Sequence, residues 1–354
     1  MTVKEPNADL EKIISEYTRK DFASDQDVRW CPGCGDYSIL AQVQRVMPSI
    51  CQELQVAREN IVFVSGIGCS SRFPYYMDTY GFHSIHGRAP TFATGLRVSR
   101  PDLQVWMVTG DGDGLSIGAN HLIHALRRNI DIKILLFNNR IYGLTKGQYS
   151  PTSEMGKKTK SSPMGSIENP LNPLYMAIAA EATFVGRAVA TESKNMQDMI
   201  MRAARHKGAA FIEIFQNCNV FNDNAFDSFT SRSIRDERTV DLVHGEPLLF
   251  GKEKEKALIF DNEGMDIKIK AVNRADVEDS RLLIHDERAE PNFLARLLAS
   301  MDEETLPIPL GVFRSLEKPI YGDLLRGQIE QAKASQGEGE LMKQIYSGDT
   351  WTVN

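Results

Sequence analysis

The stretch from residue 104 to residue 139 constrains this chain more than any other. Residues 104–108 are an apolar run of strand length, closed by Thr109 and by a turn in which Gly110, Gly112 and Gly114 alternate with Asp111 and Asp113. A helical period over 116–128 follows, and then a second apolar run at 132–137 that ends on Asn138 and Asn139. Strand, glycine-rich turn, helix, strand is a βαβ unit, whose two strands are parallel and joined by a right-handed crossover. The alternation extends to both sides. Helical spacing at 38–51 and 91–99 and a strand at 61–64 precede the unit; helix 172–182, extended 184–188, helix 192–206 and strand 210–215 follow it. Such a succession predicts an α/β fold, a mostly parallel sheet with helices on both faces.

The remainder of the chain has a different character. Residues 219–240 are polar and rich in Asn, Asp, Ser and Arg, two extended runs fall at 257–260 and 267–272, and a helical stretch at 291–301. The expected division is an α/β domain at 1–216, a C-terminal region at 217–327 and a polar, glycine-containing tail at 328–354. With 41 basic against 47 acidic residues the net charge is −6. That balance argues against a nucleic-acid partner, whose binding relies on cations that neutralise phosphate. No run approaches the roughly 20 apolar residues of a membrane span. The opening MTVKEPNADLEK lacks the apolar core of a secretory signal. A cytoplasmic chain is expected.

The turn after 104–108 carries chemistry. Glycines let backbone approach a phosphate closely, and the N–H groups that open a following helix favour an anion. Asp111 ends one strand and Asn139, beyond residues 113–138, ends the next. Adjacent parallel strands bring both to the carboxyl edge of the sheet, where α/β proteins bind their ligands. Hard oxygen donors there suit Mg²⁺, which shares its octahedral shell with phosphates. A diphosphate–Mg²⁺ site is the expectation.

Five cysteines, at 31, 34, 51, 69 and 218, are few and patterned for a reducing compartment, where metal or redox chemistry outweighs structural disulfides. Cys31 and Cys34 form a C-x-x-C turn with Pro32 and Gly33. Cys69 follows Gly66, Ile67 and Gly68 after a strand, and Cys218 follows the strand that ends near Phe215. Four thiolates serve a [4Fe–4S] cluster or a structural zinc equally well, and a redox C-x-x-C with buried thiols is the third reading. Cys51, at the end of a helix, reads as a packed thiol.

The five motifs together are Trp30-Cys-Pro-Gly-Cys-Gly35, Gly66-Ile-Gly-Cys-Ser-Ser-Arg72, His86-Gly-Arg88, Gly110-Asp-Gly-Asp-Gly114 and Tyr142-Gly-Leu-Thr-Lys-Gly-Gln148. In this order, over about residues 28–222, they resemble the β subunits of 2-oxoacid:ferredoxin oxidoreductases, most of all the 2-oxoglutarate type. The resemblance implies a pyrophosphate-type thiamine diphosphate-binding domain with a C-terminal extension. It assigns Asp111, Asn139 and the main-chain oxygen of Ile141 to Mg²⁺. Gly110, Gly112, Asp113, Tyr142, Gly143, Leu144 and Thr145 fall to the cofactor, and Cys31, Cys34, Cys69 and Cys218 to a [4Fe–4S] cluster. It further implies an α subunit that supplies the pyrimidine-side domain and the activating Glu.

The implied reaction is reversible oxidative decarboxylation of a 2-oxoacid, with coenzyme A taking the acyl group and ferredoxin the electrons, one at a time. Lys146 stands where relatives restricted to pyruvate look like Gly, so a cation meeting the distal carboxylate of 2-oxoglutarate is expected; pyruvate or a broad 2-oxoacid range is the alternative. His86 and Arg88 are further catalytic candidates. Arg72 reads as a salt-bridging residue, His121 and His124 as helix packing, and Lys157, Lys158 and Lys160 as a solvated loop. A non-redox thiamine enzyme subunit with a structural zinc is the rival function.

Overall fold

In a doubly wound sheet each inner strand presents alternate side chains to two helical layers, so both its faces are buried. The inner strands here follow that pattern, while the edge strand Tyr80–His83 is exposed. The chain was examined as a computed structural model, which describes residues 8–261 and 267–353; the first seven residues, part of the segment read above for a signal, lie outside them. Eight strands form the main sheet: β1 Ile61–Ser65, β2 Tyr80–His83, β3 Gln104–Gly110, β4 Lys133–Asn138, β5 Phe184–Val189, β6 Ala210–Phe215, β7 Thr239–Leu242 and β11 Ile308–Ser315. The shorter β8 Leu249–Phe250, β9 Lys256–Asp261 and β10 Lys268–Asn273 make a separate antiparallel sheet.

The order across the large sheet is β2-β1-β3-β4-β6-β5-β11-β7, and its neighbours are parallel except where β11 meets β5. Two core clusters lie on opposite faces. Val105, Met107, Ile134 and Leu136 point into one, with the helices Ala89–Ser99, Ala119–Arg127 and Pro173–Ala179. Trp106, Val108, Leu135 and Phe137 point into the other, with Asp36–Leu54 and Ser193–Arg205. The period-2 alternation of strand side chains produces this division.

The helix expected at 116–128 begins only at Ala119, and residues 111–115, expected as a turn, form a short helix of their own. Ser116 at φ −96°, ψ −109° separates the two. Residues 217–327 do not stand apart from the sheet, since they contribute β7 and β11 to it. The polar tail read from residue 328 is partly helical: Tyr321–Gln336 is a helix with no buried residue, and Leu341–Ile345 is another.

The register places the site. Gly110 pairs with Phe137 and Asn138 with Phe215, so β3, β4 and β6 end at one level and their connecting loops open on one edge.

Candidate active site

At that edge lies a cavity of about 530 Å³, walled by residues 110–113 after β3, Asn139 and residues 141–145 after β4, Ile67 to Ser70 after β1, and His86. Three larger hollows, of about 620, 840 and 1000 Å³, are also present. None is lined by the glycine-rich turn or a cysteine, so volume does not mark the chemistry.

Asp111 is buried at the start of the short helix that follows β3. Its Oδ2 accepts from Ser150 Oγ at 2.5 Å and Thr152 Oγ1 at 2.7 Å. Thr152 Oγ1 also lies 2.9 Å from Asn138 Oδ1, tying the ends of β3 and β4 together. Burial raises the Asp111 carboxyl to about 6, against the pull of the two hydroxyls. A carboxylate kept dry in this way gains its charge back from a cation. Asn139 folds its Oδ1 onto the Ile141 N–H at 3.1 Å, which sets the turn between the two expected metal donors. Tyr142 donates its hydroxyl to the Gly112 carbonyl at 2.8 Å, and a Cβ on Gly112 would lie 2.2 Å from the tyrosine ring. Only glycine leaves room for that closure. A hard-oxygen donor set, a glycine cradle and a helix start fit a magnesium diphosphate.

Asp113 is occupied differently. Its Oδ1 accepts from the Ile67 and Gly87 N–H groups at 3.0 and 2.7 Å and lies 2.8 Å from His86 Nδ1, while its Oδ2 accepts from Thr109 Oγ1 at 2.7 Å. It knits three loops together and orients the His86 ring toward the cavity. A carboxylate so engaged positions other groups, and its charge would repel a phosphate.

The cysteines form a second centre in contact with the first. A Cβ on Gly143 would sit 3.4 Å from Cys69 Sγ and 3.7 Å from Cys218 Sγ, so the cavity loop and these sulfurs share a wall. The Trp30 indole donates to the Cys69 carbonyl at 2.7 Å, bringing the C-x-x-C turn to the same place, and the Gln216 amide donates to Cys34 Sγ at 3.1 Å. Burial pushes the Cys34 thiol up, helped by Asp36, Cys218 and Cys69. Cys69 is pushed up to about 12 by burial, Asp36, Cys218 and Cys31. Cys69 therefore lies within electrostatic reach of the other three expected ligands, and Cys51 is packed in the core.

Beneath them Asp36 is buried, and neither of its oxygens makes a regular hydrogen bond. Burial raises it to about 7, with the Cys34 thiol as its polar neighbour. The Gln216 amide on Cys34 is the kind of donor that suits a thiolate holding an anionic iron–sulfur cluster. Among the described residues no three His, Cys, Asp or Glu side chains close on a point that suits one metal ion. A single tetrahedral zinc would need its thiolates about 3.8 Å apart.

Other expected residues lie outside the cavity wall. Arg88 is exposed and contacts His121. Lys146 is exposed, with left-handed backbone at φ 78°. Lys157 reaches Asn222, while Lys158 and Lys160 are exposed. Arg72 is the cation that pulls on Cys69.

The comparisons with known proteins agree with this geometry. Residues 66–214 match the family described as thiamine pyrophosphate enzyme, C-terminal TPP binding domain. The 2-oxoglutarate oxidoreductase subunit KorB of Mycobacterium tuberculosis is 52% identical over 95% of this chain and 88% of its own. The chain belongs to the 2-oxoacid:ferredoxin oxidoreductase β subunits. The β subunit of such an enzyme from Saccharolobus solfataricus is 44% identical over 55% of this chain and 63% of its own. A 2-oxoglutarate:ferredoxin oxidoreductase from Magnetococcus marinus, solved with 2-oxoglutarate, coenzyme A and succinyl-CoA bound, superposes with TM-score 0.71 at 34% identity. It covers 94% of this chain and 96% of that one.

This β subunit is thus part of an oxidoreductase acting on 2-oxoacids and carries its thiamine diphosphate-binding domain. Among the described residues, no helix is long and apolar enough to cross a membrane. Sequence reasoning missed Ser150, Thr152, Asp36 and Asn222. Their only signal is polarity in loops or, for Asp36, at a helix start, where polar residues are commonplace.

Proposed function

We propose that this chain is the β subunit of a coenzyme A-acylating 2-oxoglutarate:ferredoxin oxidoreductase. The overall reaction takes 2-oxoglutarate, coenzyme A and two oxidised ferredoxins to succinyl-CoA, CO₂, two reduced ferredoxins and a proton, and runs in either direction. The observation that carries this reading is the wall shared at Gly143 by the magnesium diphosphate cavity and the sulfurs of Cys69 and Cys218. Electrons released at one centre have a neighbouring acceptor.

Thiamine diphosphate supplies the electron sink for decarboxylation, and a [4Fe–4S] cluster the one-electron acceptor. Asp111, Asn139 and the Ile141 carbonyl would hold Mg²⁺, and the backbone at Gly110, Gly112 and Tyr142 to Thr145 the diphosphate. Asp113 holds His86 at the cavity, where its ring can move a proton. Cys31, Cys34, Cys69 and Cys218 would each take one corner of the cluster. Lys146, in an exposed loop beside the cavity, would meet the distal carboxylate by a charge-assisted hydrogen bond. The cavity is open, which suits an α subunit that closes it and brings the activating Glu. Thiol ligands and a ferredoxin acceptor suit the reducing cytoplasm.

The test is ferredoxin reduction by the purified two-subunit complex with coenzyme A present. A kcat/KM for 2-oxoglutarate about tenfold above that for pyruvate is expected, one charge-assisted contact being worth that much. Equal values would remove the substrate assignment. Zinc in place of iron in the purified complex would remove the redox role.

A further inference from the structure

The loop that carries the fourth cysteine touches both centres. On one side it meets the C-x-x-C turn: Asn219 donates its amide to the Pro32 carbonyl at 2.7 Å, and the Gly35 N–H donates to the Asn217 carbonyl at 3.1 Å. On the other it meets the metal loop. Phe221 packs against Gly147, where a Cβ would lie 2.8 Å from its ring, and Cys218 borders Gly143. Asn222 closes the contact. Its Nδ2 donates to the Asn139 carbonyl at 2.9 Å and lies 3.4 Å from the Arg140 carbonyl. Its Oδ1 accepts from the Lys157 ammonium. Its own N–H donates to the Cys218 carbonyl at 2.9 Å, and its side chain is buried.

These bonds have one consistent geometry. The backbone of Asn222 is tied to a cysteine of the expected cluster, its amide to the main chain between the two expected metal donors Asn139 and Ile141. Lys157 fixes which end of the amide faces which partner, because an ammonium can only donate. Both carbonyls in turn need a donor, and a buried acceptor left without one is costly.

We propose that Asn222 is a positioning residue that sets the spacing between the thiamine site and the cluster site by locking the loop of Cys218 onto the loop of Asn139. The proposal rests on the function given above. Each transfer it governs moves one electron and no atoms: one electron leaves the bound substrate carbon and one enters the cluster. Electron tunnelling falls off exponentially with distance, so a small displacement of either loop has a large effect on rate. It also assigns Lys157, expected in a solvated loop, to holding Asn222.

The test is single-turnover reduction of the cluster in the assembled two-subunit enzyme, followed by its visible absorbance after 2-oxoglutarate is mixed in. Iron and thiamine diphosphate contents normalise the rate to loaded enzyme. Asn222→Asp keeps the acceptor toward Lys157 but turns an acceptor toward two carbonyls, and Asn222→Ala removes both bonds. Each should slow cluster reduction by about tenfold or more, in line with the cost of small misplacements in reacting geometry. Each should also shift the electron paramagnetic resonance spectrum of the reduced cluster. Lys157→Met, on a half-buried side chain, should slow it in the same direction by about threefold, and it stands as the test if the Asn222 variants do not fold.

Loaded Asn222 variants that reduce their cluster within twofold of the unaltered rate, with an unshifted spectrum, would overturn the proposal. So would an unaltered rate in Lys157→Met. Unaltered complex that contains no iron would instead overturn the function on which the proposal stands.

Discussion

The two ends of β3, β4 and β6 both carry buried polar groups, and they treat them in opposite ways. At the amino end Asp131 pairs with Arg97, and Lys133 pairs with Asp131 at 2.7 Å while reaching the carbonyls of His206 and Gly208. Asn129 accepts from Thr183 Oγ1 at 2.7 Å and the Ala209 N–H at 2.8 Å, and donates to the Lys318 and Pro319 carbonyls. That network satisfies itself and contributes stability and register. At the carboxyl end Asp36, Gln216 Oε1 and Asn219 Oδ1 lack hydrogen-bond partners. Burial pushes the Asp111 carboxyl up to about 6, and the partly buried thiols of Cys34 and Cys218 lie near Cys69 beside an exposed Cys31. Buried acceptors left without a donor cost a fold stability, so this edge contributes less to it than the other.

If that contrast holds, substitutions at the two edges separate activity from stability. Asp111→Asn should cost about 100-fold or more in ferredoxin reduction, at the top of the range for altering a metal site. Thiamine diphosphate retention by the complex should fall in parallel while its melting temperature stays within a few degrees. A melting temperature that collapses together with activity would merge the two edges into one structural network.

Lys133→Met should do the reverse. It strips Asp131 of a buried cation, at a cost of about 3–5 kcal/mol in denaturant unfolding, as for other buried pairs broken on one side. Turnover per folded enzyme should be unchanged.

Acid probes the same pair without mutation. Burial works against the Asp131 carboxylate, but Lys133 and Arg97 outweigh it and hold the group at about 2 against an ordinary 3.8. The folded value is the lower one, so this stabilisation is complete above pH 3.8 and is lost as pH falls toward 2, about 2 kcal/mol in all. An acid unfolding midpoint that is the same in wild type and Asp131→Asn would break the assignment.

The smallest effect is expected at Lys146, whose left-handed backbone carries strain that glycine lacks. Lys146→Gly should stabilise by up to about 1 kcal/mol and lower turnover of 2-oxoglutarate more than that of pyruvate. Equal losses on the two substrates would count against the carboxylate contact.

The parts legible in the sequence share a physical basis. Residues 104–139 announced a βαβ unit because apolar alternation and glycine punctuation are local signals. β11 went unread because Pro309 and Gly311 interrupt its pattern. The helix Tyr321–Gln336 did so because, with no buried face, it has no apolar stripe to recognise. At the site, Asp111, Asn139 and the four cysteines, the proposed donors, are recognisable by type and position. Ser150, Thr152, Asp36 and Asn222 are not, because each acts through one directed hydrogen bond or one desolvated charge, and neither leaves a period behind.

The sequence by itself determined that Asp111 and Asn139 stand side by side, because a right-handed βαβ crossover leaves its two strands parallel and ending at one edge. Only the tertiary structure decided that the sulfurs share a wall with that edge. This juxtaposition depends on contacts such as Asn219 to Pro32, 187 residues apart, and Asn222 to Asn139, 83 apart. Contacts at that separation depend on how the whole sheet packs, and no local run of residues encodes them.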